Sequence, residues 1–467
     1  MNTRIMKRAA WSLALLIPAL ARPAMAELVI NPHEVAGSVD FGQIVKGRIK
    51  GSTYEDQPIT RTGVYLTVSG VRDERLEVRM TVGGLLWLPL MPPTDASPGA
   101  RIVQFGPGVG QAQAIYSFGD VENPSSRLQF GLFPIKYNPD AANLGEYLFR
   151  SGAYPGYVWN GGWSYLNSAS YLAQGVRFNL PTFSGKVTHD FTLFMDRNIE
   201  PIHDLAPGYL VTFKPNPVFE LGAGAVWAHA ITLKKENGRN GITPETKENA
   251  YSKTTERPVD YAGDSSACLD YYNDKVGHAA GKSDCGYYTF RGIKMMARAS
   301  ADIGALLKVD GIRSGDFKLY GEVALLGVQD QPFYYEDRSR RMPMMAGVNL
   351  PTFGLLDRLA VEMEYYRSPF LNDIGQPLNS NRPLPIAGGD LDNPVNYGPG
   401  TKEYTKDDIK WSVYAKREIT QGLTLYAQAA SDNSRHFDVV MANPYDTPAT
   451  RTPSEWYYVL RLEFGLF

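Results

Sequence analysis

Apolar and polar residues alternate with a period of two along most of the chain. In residues 75–82 (RLEVRMTV), Leu76, Val78, Met80 and Val82 fall on one side, and Arg75, Glu77, Arg79 and Thr81 on the other. A strand has this period when one face is apolar and the other meets water. Residues 64–69 repeat it, and the polar stretch 70–74 (GVRDE) between the two runs predicts a hairpin. Similar runs lie at 176–180, 219–227, 317–325, 409–416, 423–430 and 456–467. Roughly fifteen or sixteen such runs of about 8–12 residues follow one another, the length that crosses a bilayer at a tilt.

The connections fall into two lengths. Short ones lie at 214–217 (KPNP), at 419–422 (ITQG) and at two copies of Asn-Leu-Pro-Thr-Phe, 179–183 and 349–353. Proline cannot donate to a sheet ladder, so both copies read as turns. Long ones, rich in Gly, Pro, Asn, Asp and charge, run 233–287, 328–342, 367–406 and 432–454. Transmembrane barrels have short turns at one end and long loops at the other, whereas a two-sheet sandwich has no reason to sort its loops. A propeller would repeat every 40–50 residues or so, and no such repeat is present. The pattern therefore predicts an all-β fold, one transmembrane antiparallel β-barrel of about 16 strands with short periplasmic turns and long extracellular loops. It occupies residues 27–467, with 27–60 serving either as the first strand or as a periplasmic tail.

The N-terminus supports export. Arg4, Lys7 and Arg8 precede the apolar run 9–21, and Ala24-Met25-Ala26 places small residues before Glu27. That is the pattern of a cleaved signal peptide, residues 1–26, and the apolar run is too short for a membrane helix. Mean hydropathy is negative, −0.27, as it is for a barrel in which only every second residue is apolar. The 28 Tyr and 20 Phe suit interfacial girdles. A net charge of −2, more acidic once the basic leader is removed, argues against nucleic-acid binding. Cys268 and Cys285 lie in a polar stretch; an oxidising compartment predicts a disulfide between them, and two cysteines cannot fill a tetrahedral metal site.

The last run, 456–467 (WYYVLRLEFGLF), puts Trp456, Tyr458, Leu460, Leu462, Phe464 and Leu466 on one face. Here the chain resembles the Gram-negative outer-membrane β-barrel superfamily, whose members commonly end in an alternating strand closing with Phe. The resemblance implies recognition of that strand by the barrel-assembly machinery. Phe467, however, falls on the face of Arg461 and Glu463, so either the strand slips at Gly465 or the signal is non-standard.

A second, local resemblance lies in 127–150 (RLQFGLFPIKYNPDAANLGEYLFR). Residues 129–134 look like the strand-then-Pro segment of phosphate-selective and related porins. In such porins the loop that follows folds inward and narrows the channel. Asn138 is placed to cap a helix with Pro139 at its first position, Leu144 and Leu148 one turn apart, and Gly152 at its end. The helix either lines the lumen or caps the outside. Lys136, Asp140, Glu146 and Arg150 would be the charges it brings. Strand alternation adds Arg79, Glu220, Lys318, Glu322, Lys410 and Arg461 as pore-lining candidates. Their mixed signs do not support phosphate selectivity, which calls for a cationic ladder.

Other chemistry is weaker. The basic cluster 338–341 (RSRR) reads as a solvated loop rather than an anion site at the mouth. The acidic stretches 260–274 and 390–393 match no calcium-loop spacing, and no GxSxG, HExxH or P-loop is present. His189 shares a face with Phe191 and Leu193 and reads as an interface residue. No enzyme, cofactor or metal is expected. The expected partners are outer-membrane lipid and lipopolysaccharide, the assembly machinery and small solutes, with the chain acting as a monomer or a homotrimer. The function predicted is a porin-like channel for passive diffusion. The alternative is a plugged surface barrel that works as a scaffold or adhesion protein through its long loops.

Overall fold

A computed structural model describes residues 29–30, 34–49, 52–87, 104–150, 171–195, 203–231, 292–307, 311–328, 338–367, 409–431 and 454–466. Sixteen antiparallel strands pair in chain order: β1 (Glu34–Ile49), β2 (Ser52–Arg72), β3 (Leu76–Trp87), β4 (Gln104–Gly119), β5 (Pro124–Ile135), β6 (Tyr171–Thr182), β7 (Val187–Met195), β8 (Leu205–Phe213), β9 (Phe219–Ala228), β10 (Gly292–Asp302), β11 (Lys318–Leu325), β12 (Met344–Asn349), β13 (Arg358–Tyr365), β14 (Ile409–Thr420), β15 (Leu423–Ala430) and β16 (Trp456–Leu466). β16 pairs with β1 from Trp456↔Lys46 to Leu466↔Val35, and this closes the sheet into a barrel with no free edge. Val29–Ile30 forms a two-residue extension paired with β2 at Val71 and Gly70.

Loop length follows strand parity except at 303–317, which is long for its end, and at 196–204 and 50–51, which are short for theirs. At one end the connections are 73–75, 120–123, 183–186, 214–218, 303–317, 350–357 and 421–422. At the other they are 88–103, 136–170, 196–204, 229–291, 326–343, 366–408 and 431–455, together with the two-residue 50–51. β1 begins and β16 ends at the short-turn end. The hairpin read at 70–74 turns slightly later, at 73–75, with Asp73 (φ 53°) and Glu74 (φ 55°) both left-handed. Residues 34–49 form the first strand and the second starts at Ser52.

The alternation decides which side chain meets which medium. Phe41 on β1, Val64 on β2, Met80 on β3, Phe130 on β5, Phe191 on β7, Leu221 on β9, Met295 on β10, Met363 on β13 and Leu460 on β16 are large, apolar and exposed. They ring the whole circumference. From Phe219 to Trp227 the belt on β9 rises about 27 Å along the strand, or roughly 20 Å at a 40° tilt, near the apolar band of an outer-membrane barrel. The facing positions are polar and buried: Asp40, Arg61, Thr81, Gln113, Asp190, Arg298, Ser412 and Gln428.

The β16–β1 register runs unbroken from Tyr457 to Leu466 and shifts at the other end, between Trp456 and Tyr457. There is thus no slip at Gly465; Phe467 lies outside the described residues. Two glycines pair across β5 and β6, Gly131 (φ 115°) and Gly175 (φ 153°). A Cβ at these positions would lie 2.3 Å from the Ala112 carbonyl oxygen and 2.1 Å from that of Leu193, so only glycine lets both strands approach so closely.

Candidate functional site: a loop across the lumen

The connection after β5 enters the barrel. Between residues 137 and 149 every described side chain is buried except that of Pro139. Helix formation is limited to the single turn Tyr147–Arg150, not the longer helix expected from Pro139 onward. The reason is competition for backbone amides. Glu362 of β13 accepts the N–H groups of Ala142 (2.5 Å), Asn143 (2.8 Å) and Leu144 (2.9 Å). Glu322 of β11 accepts those of Glu146 (3.0 Å) and Tyr147 (3.0 Å). Donors that a helix would leave free or bond internally are satisfied by charged oxygens on the far wall, and such bonds are stronger than neutral ones.

Side chains complete the anchorage. Tyr137 Oη donates to Glu322 Oε1 (2.5 Å), and Asn138 Nδ2 to Glu322 Oε2 (2.9 Å). Asn138 is therefore not a helix cap. Glu146 turns back on its own loop and accepts the Asn138 amide (2.8 Å). Tyr147 Oη reaches Glu364 (3.1 Å), and Tyr320 Oη donates to Glu362 (2.8 Å). Asp140 pairs with Lys318 (2.6 Å), while its carbonyl accepts from Arg358. Burial and the Glu322 charge push the Tyr137 phenol well above its ordinary pKa, which keeps it a donor.

Beneath these bonds lies an apolar cluster that a purely polar lumen does not predict. Tyr137, Leu144, Leu148 and Phe149 of the loop pack with Phe133, Phe194, Leu210, Val226, Met296 and Met345 of the wall. Ala142 reaches a second cluster with Ile44, Ala360, Tyr414, Tyr457 and Val459. The inner face of β7–β12 is thus apolar at the height of the loop, because an inserted segment needs a core of its own.

The candidates read from the sequence take different places. Lys136 is half-buried and donates to the Ala141 carbonyl (2.5 Å). Arg150 ends the helical turn. Glu322, 4% exposed, holds the loop. Glu220 faces inward and pairs with Arg298 (2.6 Å). Lys410 is buried on the inner face. Arg79 lies beside Glu77 (2.8 Å). Arg461 joins a pair that sequence reading missed: Asp40 receives Arg61 (2.7 Å) from the neighbouring β2 and Arg461 (2.6 Å) across the closing seam. Glu362 and Glu364 were also missed, although they alternate with apolar residues in 361–365 (VEMEY) and the alternation places them inward. Arg341 is fully buried in the turn Arg338–Arg341, so the basic cluster is not simply a solvated loop.

His189 sits on the outer face and bonds Tyr209 Oη (2.7 Å). Asp204 pairs with His229 (3.3 Å), not with its sequence neighbour His203. Among the described residues no group of three His, Cys, Asp or Glu is placed to hold a metal ion. Cys268, Cys285 and the acidic stretches 260–274 and 390–393 lie outside the described residues.

No protein family and no curated protein matches the chain. Among solved structures, a triple mutant of Rhodopseudomonas blastica porin is 8% identical, with a TM-score of 0.41, over 94% of this chain and 100% of that one. Salmonella typhi OmpF in complex with daunomycin is 9% identical, with a TM-score of 0.44, over 94% and 97%. At this level of similarity the barrel architecture is carried by the strand pairings themselves.

Proposed function

We propose that the chain is an outer-membrane channel for passive diffusion of small hydrophilic solutes, narrowed by the loop 136–150. The observation that carries this is the combination of an outward apolar belt with a polar inner wall from which buried carboxylates hold a loop across the lumen. The belt is stable only in lipid, since water would meet apolar side chains on every face. Inside, the loop is bonded to β11 and β13 and packs on wall residues of β5 and β7–β12, and solutes pass along the polar wall of β3–β5 near the short-turn end. Paired and unpaired charges there bias which solutes enter.

Around this core stand further proposals: residues 1–26 as export signal, Cys268–Cys285 as a disulfide, β16 as the strand recognised by the assembly machinery, lipopolysaccharide at the outer rim, and assembly as a trimer. The test is conductance in planar bilayers with protein refolded in detergent. Stepwise, ohmic current is the expected result. A folded barrel that inserts and stays silent would overturn the channel and favour a plugged scaffold.

A further inference from the structure

We propose that the lumen wall near the short-turn end carries a two-arginine seat for a small oxyanion, a phosphate- or carboxylate-bearing solute, formed by Arg75 and Arg127 on either side of Ser117. The seat rests on the channel reading for its role in transit, though not for its existence.

Register places the three residues in one row. Ser117 pairs with Arg127 across β4 and β5. The Ser117 amide donates to the Arg75 carbonyl (2.9 Å), which extends the β3–β4 ladder one pair beyond Leu76↔Tyr116. Two steps along each strand lie Glu77, Ile115 and Gln129, and Glu77 and Gln129 share the inner face with Arg79 and Gln113. Arg75 and Arg127 are thus two strand spacings apart, about 10 Å between Cα atoms, a gap that two arginine side chains are long enough to span.

Charge counting singles out the same pair. The inner face of β3–β7, with the residue leading into β3, carries four arginines, Arg75, Arg79, Arg127 and Arg177, against two acids, Glu77 and Asp190. Glu77 is taken by Arg79 (2.8 Å). Asp190 is taken by Arg177 (2.8 Å) and by Asn179 (2.8 Å). The surplus falls on Arg75 and Arg127, both exposed and, among the described residues, joined to no carboxylate. Of the nearby turn acids, Asp73 lies 3.7 Å from Arg72, and Asp120 accepts the Glu122 amide (3.1 Å). Glu74 and Glu122 are exposed on the turns. Deeper in the wall, uncharged side chains form a relay from Thr67 through Thr81, Gln111 and Gln113 to Gln129.

A guanidinium fork matches the paired oxygens of carboxylate and phosphate, and Ser117 adds a hydroxyl donor between the two forks. Open to water, such a seat binds weakly and releases fast, as a site of transit must.

The test uses the full chain in detergent and inorganic phosphate as the probe. Phosphate should broaden its own phosphorus resonance in the presence of the wild-type barrel. The double substitution Arg75→Gln with Arg127→Gln should weaken that binding about tenfold or more. Heat-modifiable gel mobility confirms that the variant is folded. In bilayers, phosphate should reduce chloride conductance of the wild type only, and the variant's reversal potential should move toward cations. Equal binding by wild type and variant, or none by either, overturns the seat. Phosphate binding without any current leaves the seat standing and removes the channel; current with no phosphate effect does the reverse.

Discussion

Replacing Glu362 by Ala should release the middle of the inward loop without opening the barrel. Three loop amides depend on this carboxylate, at 2.5, 2.8 and 2.9 Å, and the group is 1% exposed. A buried N–H left without a partner costs about 1–3 kcal/mol, and charge-assisted bonds lie toward the upper end. Water entering the vacated space satisfies part of the loss, so the lower bound for all three together, about 3 kcal/mol, is the safer figure. That corresponds to roughly a hundredfold rise in the undocked population. Glu322 still binds Tyr137, Asn138, Glu146 and Tyr147, so the ends stay docked. Hydrogen exchange resolved by mass spectrometry reads the effect directly. Protection at Ala142–Leu144 should fall by about two orders of magnitude, while β13, whose ladder is backbone only, stays protected. Glu362→Gln, which keeps one acceptor oxygen, should fall between. If Glu362→Ala leaves those amides as protected as in the wild type, the carboxylate does not hold the loop and the anchorage argument fails.

Three other outcomes follow from the same geometry. Asp40→Asn leaves two buried arginines facing each other across the closing seam; a loss of about 3–5 kcal/mol should appear as a lower heat-modification midpoint, and an unchanged midpoint would remove the seam from the stability argument. Val413→Arg places a charge in the middle of the outer belt, where about 2–4 kcal/mol is expected, read by denaturant titration in vesicles; Ser412→Arg points inward and should not show that cost through lipid contact. Gly175→Ala drives a Cβ into the Leu193 carbonyl, so refolding yield should drop sharply, whereas Gly185→Ala, where nothing lies within 4 Å, should cost only the strain of its left-handed turn, about 1–2 kcal/mol.

The period-two pattern alone carried the fold class, the inward and outward faces and the sorting of loops by length. Those follow from strand geometry: successive side chains face opposite media, and the sorting of loops by length separates a closed barrel from a two-sheet sandwich with the same alternation. The segment 136–150 was marked as able to enter the lumen by its resemblance to a porin segment, not by the alternation. What neither could carry was the structure that segment takes. Asn138, Pro139, Leu144 and Leu148 are spaced for a helix, and a helix is what local rules give. The fold sets Glu322 and Glu362, some 180 and 220 residues away in sequence, against the same backbone amides, and charged acceptors on the opposite wall outbid the local pattern. Which wall charges are spent was likewise decided by tertiary pairing: Glu322 on the loop, Asp190 on Arg177, and Asp40 on Arg61 of its hairpin partner and on Arg461 of β16, which meets β1 only when the barrel closes. A linear sequence lists the charges. Only the ring of neighbouring strands determines which of them cancel, because cancellation depends on distances of a few ångströms that chain separation does not encode.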